Sequence, residues 1–346
     1  MAMTDRRARI PISVLTGFLG SGKTTVLNRL VRHPDMVRAL VVVNELGEIG
    51  LDHELVERAT DDVVLLQSGC LCCSVRSDLI ETLQAMRRKA ERGEIPRFDR
   101  VIIETTGLAD PGPILQAIMV EPAVTSHFQL DGVVATVDAV NAEATLGRHN
   151  EAVRQVAVAD RILLTKTDLA EPAQAMAVEQ DLAALNPSVP IIRTAPGEAI
   201  DPALLFGLGL YDPSSKSADV RRWLDWERGR PRASRPVADD ASRHDARIRS
   251  ASLAFDAPIA GEALDRWLNS LLRFRGPDLL RFKAIVNVTE LPGPLVLHGV
   301  QHVIHPPVML KEWPSADRRT RMVFITHDID EDALRASLQE LADAPA

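Results

Sequence analysis

Over roughly the first 200 residues, short aliphatic and β-branched runs alternate with segments of helical period. The apolar runs are Ile10–Thr16, Leu40–Asn44, Val63–Gln67, Val101–Glu104, Gly132–Val137, Ile162–Thr165 and Ile191–Arg193. Between several of them lie helical segments, among them Asp78–Lys89, with Leu79, Leu83 and Met86 on one stripe, and Ala173–Leu185. Strands alternating with helices predict an α/β fold: a mostly parallel sheet with helices on both faces. The pattern changes after Leu210. Asp212 to Ala246 is rich in Arg, Asp, Ser and Pro and reads as a charged linker, with its large apolar residues grouped around Trp223 and Trp226. From Arg247 core character returns. Strands at Ile248–Phe255, Leu280–Val288, Leu295–Ile304 and Arg321–Thr326, with helices at Ala263–Leu272 and Asp330–Leu341, predict a smaller β-α-β-β-β-α domain of α+β type. The expected organisation is therefore residues 1–211, a linker at 212–246, and a C-terminal domain at 247–346.

Length agrees with that division, since 346 residues at roughly 150 per domain suggest about two domains. Forty Lys+Arg against 48 Asp+Glu give a net charge of −8, which argues against a general nucleic-acid binder. No apolar run reaches the ~18 residues a membrane helix needs. The basic start, Met1 to Arg9, runs into a strand and a glycine loop with no small-residue cleavage site, so a signal peptide is not expected. The three cysteines all fall within Cys70–Cys73, which is no disulfide framework and points to a cytoplasmic protein.

The chemistry is concentrated at strand ends. Gly17-Phe-Leu-Gly20-Ser21-Gly22-Lys23-Thr24 follows a strand and precedes the helical stretch from Thr25 to Val31, the context a phosphate loop requires. Its glycines let backbone N–H groups face the phosphates, and the helix N-terminus adds positive potential. Lys23 would reach the β/γ-phosphates and the Thr24 hydroxyl would ligate Mg²⁺. Val101-Ile-Ile-Glu104-Thr-Thr-Gly107 is a buried strand ending in a carboxylate suited to ordering Mg²⁺ or a water, with Gly107 able to sense the γ-phosphate. Thr165-Lys166-Thr167-Asp168 ends a later strand. An Asp carboxylate accepts both N1–H and N2–H of guanine, a donor pair adenine lacks, and the Lys stem would lie over the base. GTPases usually carry Asn where Thr165 stands.

Gly69-Cys70-Leu71-Cys72-Cys73 places three thiols on one loop, suiting Zn²⁺, Co²⁺ or Cu⁺; Cys70 and Cys73 also form a C-x-x-C pair open to a redox role. Asn44-Glu45-Leu-Gly47-Glu48 offers carboxylates where a switch loop would meet the γ-phosphate, or simply a charged surface loop. In a parallel sheet all these loops lie on one rim. In the C-terminal domain, His298 and His302 share a face of one regular strand, with His305 opposed unless Pro306 bends the chain; they read as polar residues on an exposed sheet face or as secondary metal ligands.

Together, Gly17–Thr24, Asn44–Glu48, Gly69–Cys73, Glu104–Gly107 with Leu108-Ala109-Asp110-Pro111, and Lys166–Asp168 resemble the CobW-like branch of the metal-centre maturation GTPases, a group that includes the urease and hydrogenase maturation GTPases. The C-terminal hundred residues, with Leu280-Arg-Phe-Lys283 and Gly299-Val-Gln-His302, are similar to the CobW C-terminal domain. The resemblance implies a P-loop GTPase that uses GTP and Mg²⁺ and delivers Zn²⁺ or Co²⁺ to a client metalloprotein. By the same resemblance Cys70, Cys72 and Cys73 would hold the metal with Glu45. Lys23 and Glu104 would be catalytic, and Gly17, Gly20, Ser21, Gly22, Lys23, Thr24, Thr25, Glu104, Gly107, Lys166 and Asp168 would form the nucleotide site. No residue reads as an arginine finger, so slow intrinsic turnover is expected; nucleotide-dependent self-association is a further expectation. A P-loop ATPase or small-molecule kinase, and a nucleotide-binding metal or redox sensor, remain the competing readings.

Overall fold

The computed structural model describes residues 9–44, 64–68, 75–187, 189–195, 197–207 and 248–342. The candidate residues Glu45, Gly47, Glu48, Cys70, Cys72 and Cys73 and the 212–246 linker lie outside them. Among the described residues no helix is long and apolar enough to cross a membrane. The chain divides into two compact units. One comprises Met1–Ala142, Ala159–Ala175 and Pro190–Leu208; the other comprises Glu143–Val158, Met176–Val189 and Gly209–Ala346.

The first sheet has seven strands: β1 (Ile10–Gly17), β2 (Ala39–Asn44), β3 (Val64–Ser68), β4 (Arg100–Glu104), β5 (Phe128–Asp138), β6 (Arg161–Thr165) and β7 (Ile191–Arg193). Their spatial order is β3-β2-β4-β1-β5-β6-β7, and each neighbouring pair is parallel. The connecting helices are α1 (Lys23–Leu30), α2 (Val75–Glu91), α3 (Gly112–Val120), α4 (Pro122–Thr125), α5 (Ala142–Arg148), α6 (Asn150–Val158) and α7 (Pro172–Leu185). β1 sits between β4 and β5, and successive strands extend to either side of it. Its C-terminal end is thus the switch point where open parallel sheets bind ligands. Parallel strands covered on both faces are buried along their length and therefore mostly apolar, as in the unbroken burial of Ile12–Gly17, Val101–Glu104 and Arg161–Thr165, whose buried polar residues include Thr16, Glu104 and Thr165 at or next to the strand ends. Val26, Leu27, Leu30 and Val31 pack α1 and its end into a core with Leu15, Val41, Ile102, Val134 and Leu163. α1 is therefore held against the sheet by the strands whose ends surround its N-terminus.

The second sheet is antiparallel. It contains β8 (Ile248–Phe255), β9 (Leu279–Val286), β10 (Leu295–Val300), β11 (Val303–Ile304), β12 (Val308–Met309) and β13 (Thr320–His327), in the order β11-β10-β9-β13-β8 with β12 also on β10. Helices α8 (Gly261–Arg275) and α9 (Glu331–Ala342) complete it. Phe282 and Phe324 stack at 5.0 Å between ring centroids, Trp267 of α8 meets Phe324 edge-on at 6.2 Å, and the Trp267 Nε1–H donates to Ser337 Oγ of α9 at 3.2 Å. Leu264, Leu334 and Leu338 fill the same core. The element order matches β-α-β-β-β-α except for the added short strand β12 and at the expected strand Leu295–Ile304. The chain turns back there at Gln301, whose φ is +51°, and splits the run into β10 and β11.

Candidate functional site

β1 delivers Gly17 to the sheet edge, and the next residues wind over it with φ of +143° at Gly17, +72° at Gly20 and +92° at Gly22. At Gly17 a side chain would fail twice over. The backbone is left-handed, and a Cβ would stand 2.5 Å from the Thr136 carbonyl oxygen of β5. Gly22 ends the loop as the N-cap of α1, whose first turn carries no acidic residue. That leaves the positive end of the helix for an anion. Lys23 opens α1 and is only 8% exposed. Its Nζ donates to the carbonyls of Gly17 at 2.9 Å and Phe18 at 3.2 Å, so the ammonium bends back over the loop. Thr25 stands exposed on the next position of the helix.

β4 brings Glu104, 4% exposed, against the loop. The Thr24 hydroxyl donates to Glu104 Oε1 at 2.9 Å. A hydroxyl and a carboxylate in contact at the end of a phosphate loop are hard oxygen donors of the kind Mg²⁺ accepts. Beyond Glu104, the Thr105 N–H donates to the Leu15 carbonyl at 2.9 Å, and the Thr105 hydroxyl donates to Thr16 Oγ1 at 2.9 Å. Gly107 lies so close to the loop that a Cβ there would be 2.6 Å from the Leu19 nitrogen. These contacts run the 104–107 segment directly along the phosphate loop.

The third expected motif joins the same network from the other side. The Thr165 hydroxyl donates to the Ser21 carbonyl at 2.8 Å, with the Val137 carbonyl at 3.1 Å. Thr165 is buried, so its hydroxyl serves the phosphate loop and β5. Ser21 Oγ and Thr136 Oγ1 are 2.7 Å apart, and the Thr136 hydroxyl also donates to the Thr16 carbonyl at 3.3 Å. Lys166 follows with φ of +55°, and its Nζ donates to Asp138 Oδ2 at 2.6 Å. The Thr167 hydroxyl donates to the Thr194 carbonyl at 3.3 Å, tying the loop to the end of β7. Asp168 is exposed at the same strand edge.

The structure thus brings Gly17, Ser21, Lys23, Thr24, Glu104, Gly107 and Thr165 into one connected arrangement, with Lys166 and Asp168 beginning at the neighbouring strand end. Asp138, Thr16, Thr136 and Thr194 belong to it although no motif pointed to them, and Thr105, inside the Glu104–Gly107 motif, joins through its hydroxyl. The one available signal was at Asp138: an apolar strand, Gly132–Val137, ends in an acidic residue just as Val101–Ile103 ends in Glu104. Burial pushes the Asp138 carboxyl up, but hydrogen bonds from Lys166, Asn141 and the Val140 N–H outweigh it and leave it below the usual carboxylate range.

Among the described residues no group of three His, Cys, Asp or Glu side chains could hold a metal ion. The expected strand geometry of the C-terminal histidines is corrected. Because the chain reverses at Gln301, His305 comes opposite His298, and its N–H donates to the His298 carbonyl at 2.8 Å. His302 lies in the turn with its Cβ against Gly276. His305 is 1% exposed, so it is no solvated surface residue.

Known proteins give the same arrangement a family. The model described as CobW/HypB/UreG, nucleotide-binding domain, matches residues 11–193, and the cobalamin synthesis protein CobW C-terminal domain matches residues 248–342. The chain is 32% identical over 332 residues to the zinc chaperone YjiA of Escherichia coli (strain K12), covering 96% of this chain and 98% of that protein. It is 31% identical over 375 residues to the zinc chaperone CobW of Sinorhizobium sp, covering 98% of this chain and all (100%) of that one. The crystal structure of Zn(II)-bound YjiA GTPase from E. coli superposes with a TM-score of 0.74 at 31% identity, over 96% of this chain and 98% of that one. With a parallel sheet built around a phosphate loop, an antiparallel C-terminal unit and full-length likeness to these relatives, the chain belongs to the CobW/HypB/UreG family and carries the CobW C-terminal domain.

Proposed function

We propose that this protein is a GTP-hydrolysing metallochaperone. It binds Zn²⁺, or Co²⁺, at the thiolates of Cys70, Cys72 and Cys73 and passes it to a client metalloprotein in a nucleotide-dependent way. One observation carries the reading. The phosphate loop, the Thr24–Glu104 pair and the C-terminal end of β3 all lie on the same edge of a parallel sheet, and Cys70 follows β3 by two residues in sequence. Names of relatives support it: two are zinc chaperones, YjiA and CobW, and the first of them is also called a GTPase in its Zn(II)-bound crystal structure.

In this reading Lys23 leaves the loop carbonyls for the β/γ-phosphates, while the loop N–H groups and the N-terminus of α1 hold the remaining charge. Thr24 and Glu104 supply the donors for Mg²⁺, which would neutralise charge on the β- and γ-phosphates. Gly107, packed against Leu19, senses whether a γ-phosphate is present. Asp168 reads the guanine edge with Lys166 beside it. Glu45 joins the thiolates in one nucleotide state, and the working compartment is the cytoplasm.

The test is equilibrium titration of Zn²⁺ and Co²⁺ into the full-length protein with GDP, with a non-hydrolysable GTP analogue and with neither, beside steady-state phosphate release. Metal affinity that depends on the nucleotide, together with slow turnover specific to GTP, is expected. Unchanged metal affinity in a Cys70→Ser/Cys72→Ser/Cys73→Ser variant would sink the metallochaperone reading. A preference for ATP, or phosphoryl transfer to a metabolite, would replace the GTPase reading with a kinase or ATPase.

A further inference from the structure

The Lys166–Asp138 ion pair is built more firmly than an ordinary surface contact. Asp138 closes β5 directly opposite Thr165 of β6, so it stands beside the residue that precedes Lys166. Its carboxylate is held from several directions. Oδ1 accepts the Val140 N–H at 2.8 Å and the Asn141 N–H at 3.3 Å, and Oδ2 accepts Asn141 Nδ2 at 2.8 Å. Gln174 of α7 fixes this turn by donating to the Val140 carbonyl at 2.9 Å. Against that anchored carboxylate lies Lys166 Nζ at 2.6 Å, with the Asp138 side chain 10% exposed and the Lys166 side chain 35% exposed. Lys166 itself has φ of +55°, a left-handed conformation that residues with a Cβ adopt rarely. Both ends of the lysine are therefore fixed: the backbone by its turn, the ammonium by Asp138. The four-carbon stem joins these two fixed ends in a side chain that is only partly buried.

A lysine stem is apolar along its length, and it normally gives up much rotamer freedom when it packs against anything. Pinning the ammonium removes that cost in advance. We propose that Asp138 is a positioning residue for nucleobase binding: it holds Lys166 so that the stem forms a ready-made apolar bed for one face of a purine ring. The inference rests on the reading of 166–168 as the nucleobase loop. It assigns the two acidic residues different tasks. Asp168 meets the edge of the base and discriminates guanine from adenine, whereas Asp138 acts through Lys166 on the ring face, which guanine and adenine share.

The experiment compares GDP, ADP and inorganic tripolyphosphate by isothermal titration on the full-length wild type, Asp138→Asn, Lys166→Met and the double variant. Lys166→Met keeps a stem of similar length and removes the charge. Asp138→Asn should weaken GDP and ADP by a similar factor, about three- to tenfold, the scale of one net hydrogen bond. Tripolyphosphate affinity should stay at the wild-type value. In the Lys166→Met background the same Asp138→Asn change should cost nothing further. Equal weakening of tripolyphosphate would make Asp138 a general structural tie and overturn the inference. So would a full Asp138→Asn effect persisting without the lysine, or GDP and ADP binding unchanged in Asp138→Asn while wild type binds GDP more tightly than tripolyphosphate. Wild type that binds GDP no more tightly than tripolyphosphate would overturn the nucleobase reading of 166–168 itself, and this inference with it.

Discussion

At the residue scale Lys23 and Gly107 make two different demands on the phosphate loop. Lys23 is buried, and its ammonium is already held by two loop carbonyls, at 2.9 Å and 3.2 Å. It is thus poised within the loop that would receive the phosphates. Replacing it removes charged hydrogen bonds worth about 1.5–3 kcal/mol each. Lys23→Ala should therefore weaken GTP at least about tenfold by titration calorimetry and abolish measurable phosphate release; wild-type turnover in this variant would refute the phosphate-loop assignment. Gly107 makes a different kind of demand. A Cβ there would lie 2.6 Å from the backbone nitrogen of Leu19, and backbone cannot step aside as a flexible side chain can. Gly107→Ala should cost about 1–3 kcal/mol, as overpacking does, split between thermal stability and the ability of the 104–107 segment to lie along the loop. A melting temperature and a GTPase rate both equal to wild type would show that the segment does not need this approach.

At the element scale, what matters is how strand ends are tied to one another, and this is where the sequence was only partly legible. The phosphate loop could be read because its glycines, lysine and threonine sit at fixed spacing between a strand and a helix. The Thr16–Thr105, Thr16–Thr136, Thr136–Ser21 and Thr165–Ser21 contacts could not, because their members are separated by 89 to 144 positions. A Thr in a strand reads first as a β-branched residue. The turn at Gln301 carries neither Gly nor Pro at its positive-φ position, which is why β10 and β11 read as one strand in the sequence and the alternation along it places His298 with His302 instead of opposite His305. Thr165 tests the network directly. Thr165→Val keeps the shape but takes the donor from the buried Ser21 and Val137 carbonyls, costing about 1–3 kcal/mol. GDP and ADP should weaken equally, and Thr165→Ser should restore both; a loss confined to GDP would mean the hydroxyl addresses guanine. In the second unit, Arg319 holds the Asp317 carboxyl well below its ordinary 3.8, at about 2, with a smaller contribution from the Arg321 charge. A depressed folded-state value stabilises the fold above the unfolded value and is lost as pH falls through the folded one. Asp317→Asn should therefore lower the melting temperature at pH 5 and converge on wild type as pH falls from about 4 towards 2. A constant difference down to pH 2 would assign the effect to packing.

At the scale of the whole molecule, the strands that precede the two candidate chemistries in sequence end on one sheet edge. β1, β2, β3, β4 and β6 are parallel, so Gly17, Asn44, Ser68, Glu104 and Thr165 end their strands on the same side. Glu45 follows β2 immediately, and the cysteine motif follows β3, the strand paired with β2. If the cysteines bind metal and the phosphate loop binds nucleotide, independence of the two ligands is the less natural outcome. Linkage sets a firm condition: the factor by which a GTP analogue changes metal affinity must equal the factor by which metal changes affinity for the analogue. Couplings of this kind run to about 1–3 kcal/mol, or roughly 5- to 150-fold. Thiolate binding also releases protons, so metal affinity should rise with pH across the thiol range in both nucleotide states, and coupling should persist across that range. Glu45 is the candidate link, because a carboxylate at the end of β2 could complete a thiolate site in one state and leave it in the other. Glu45→Ala should then reduce the coupling by a larger factor than it reduces either affinity alone. Zn²⁺ titrations with and without the analogue, in wild type and in Glu45→Ala, measure all four corners of that cycle. Coupling retained in full by Glu45→Ala would remove this residue from the link and leave the 104–107 segment, packed on the phosphate loop through Gly107 and Leu19, as the element to test next. No coupling in wild type would mean that the chain carries two sites that do not communicate.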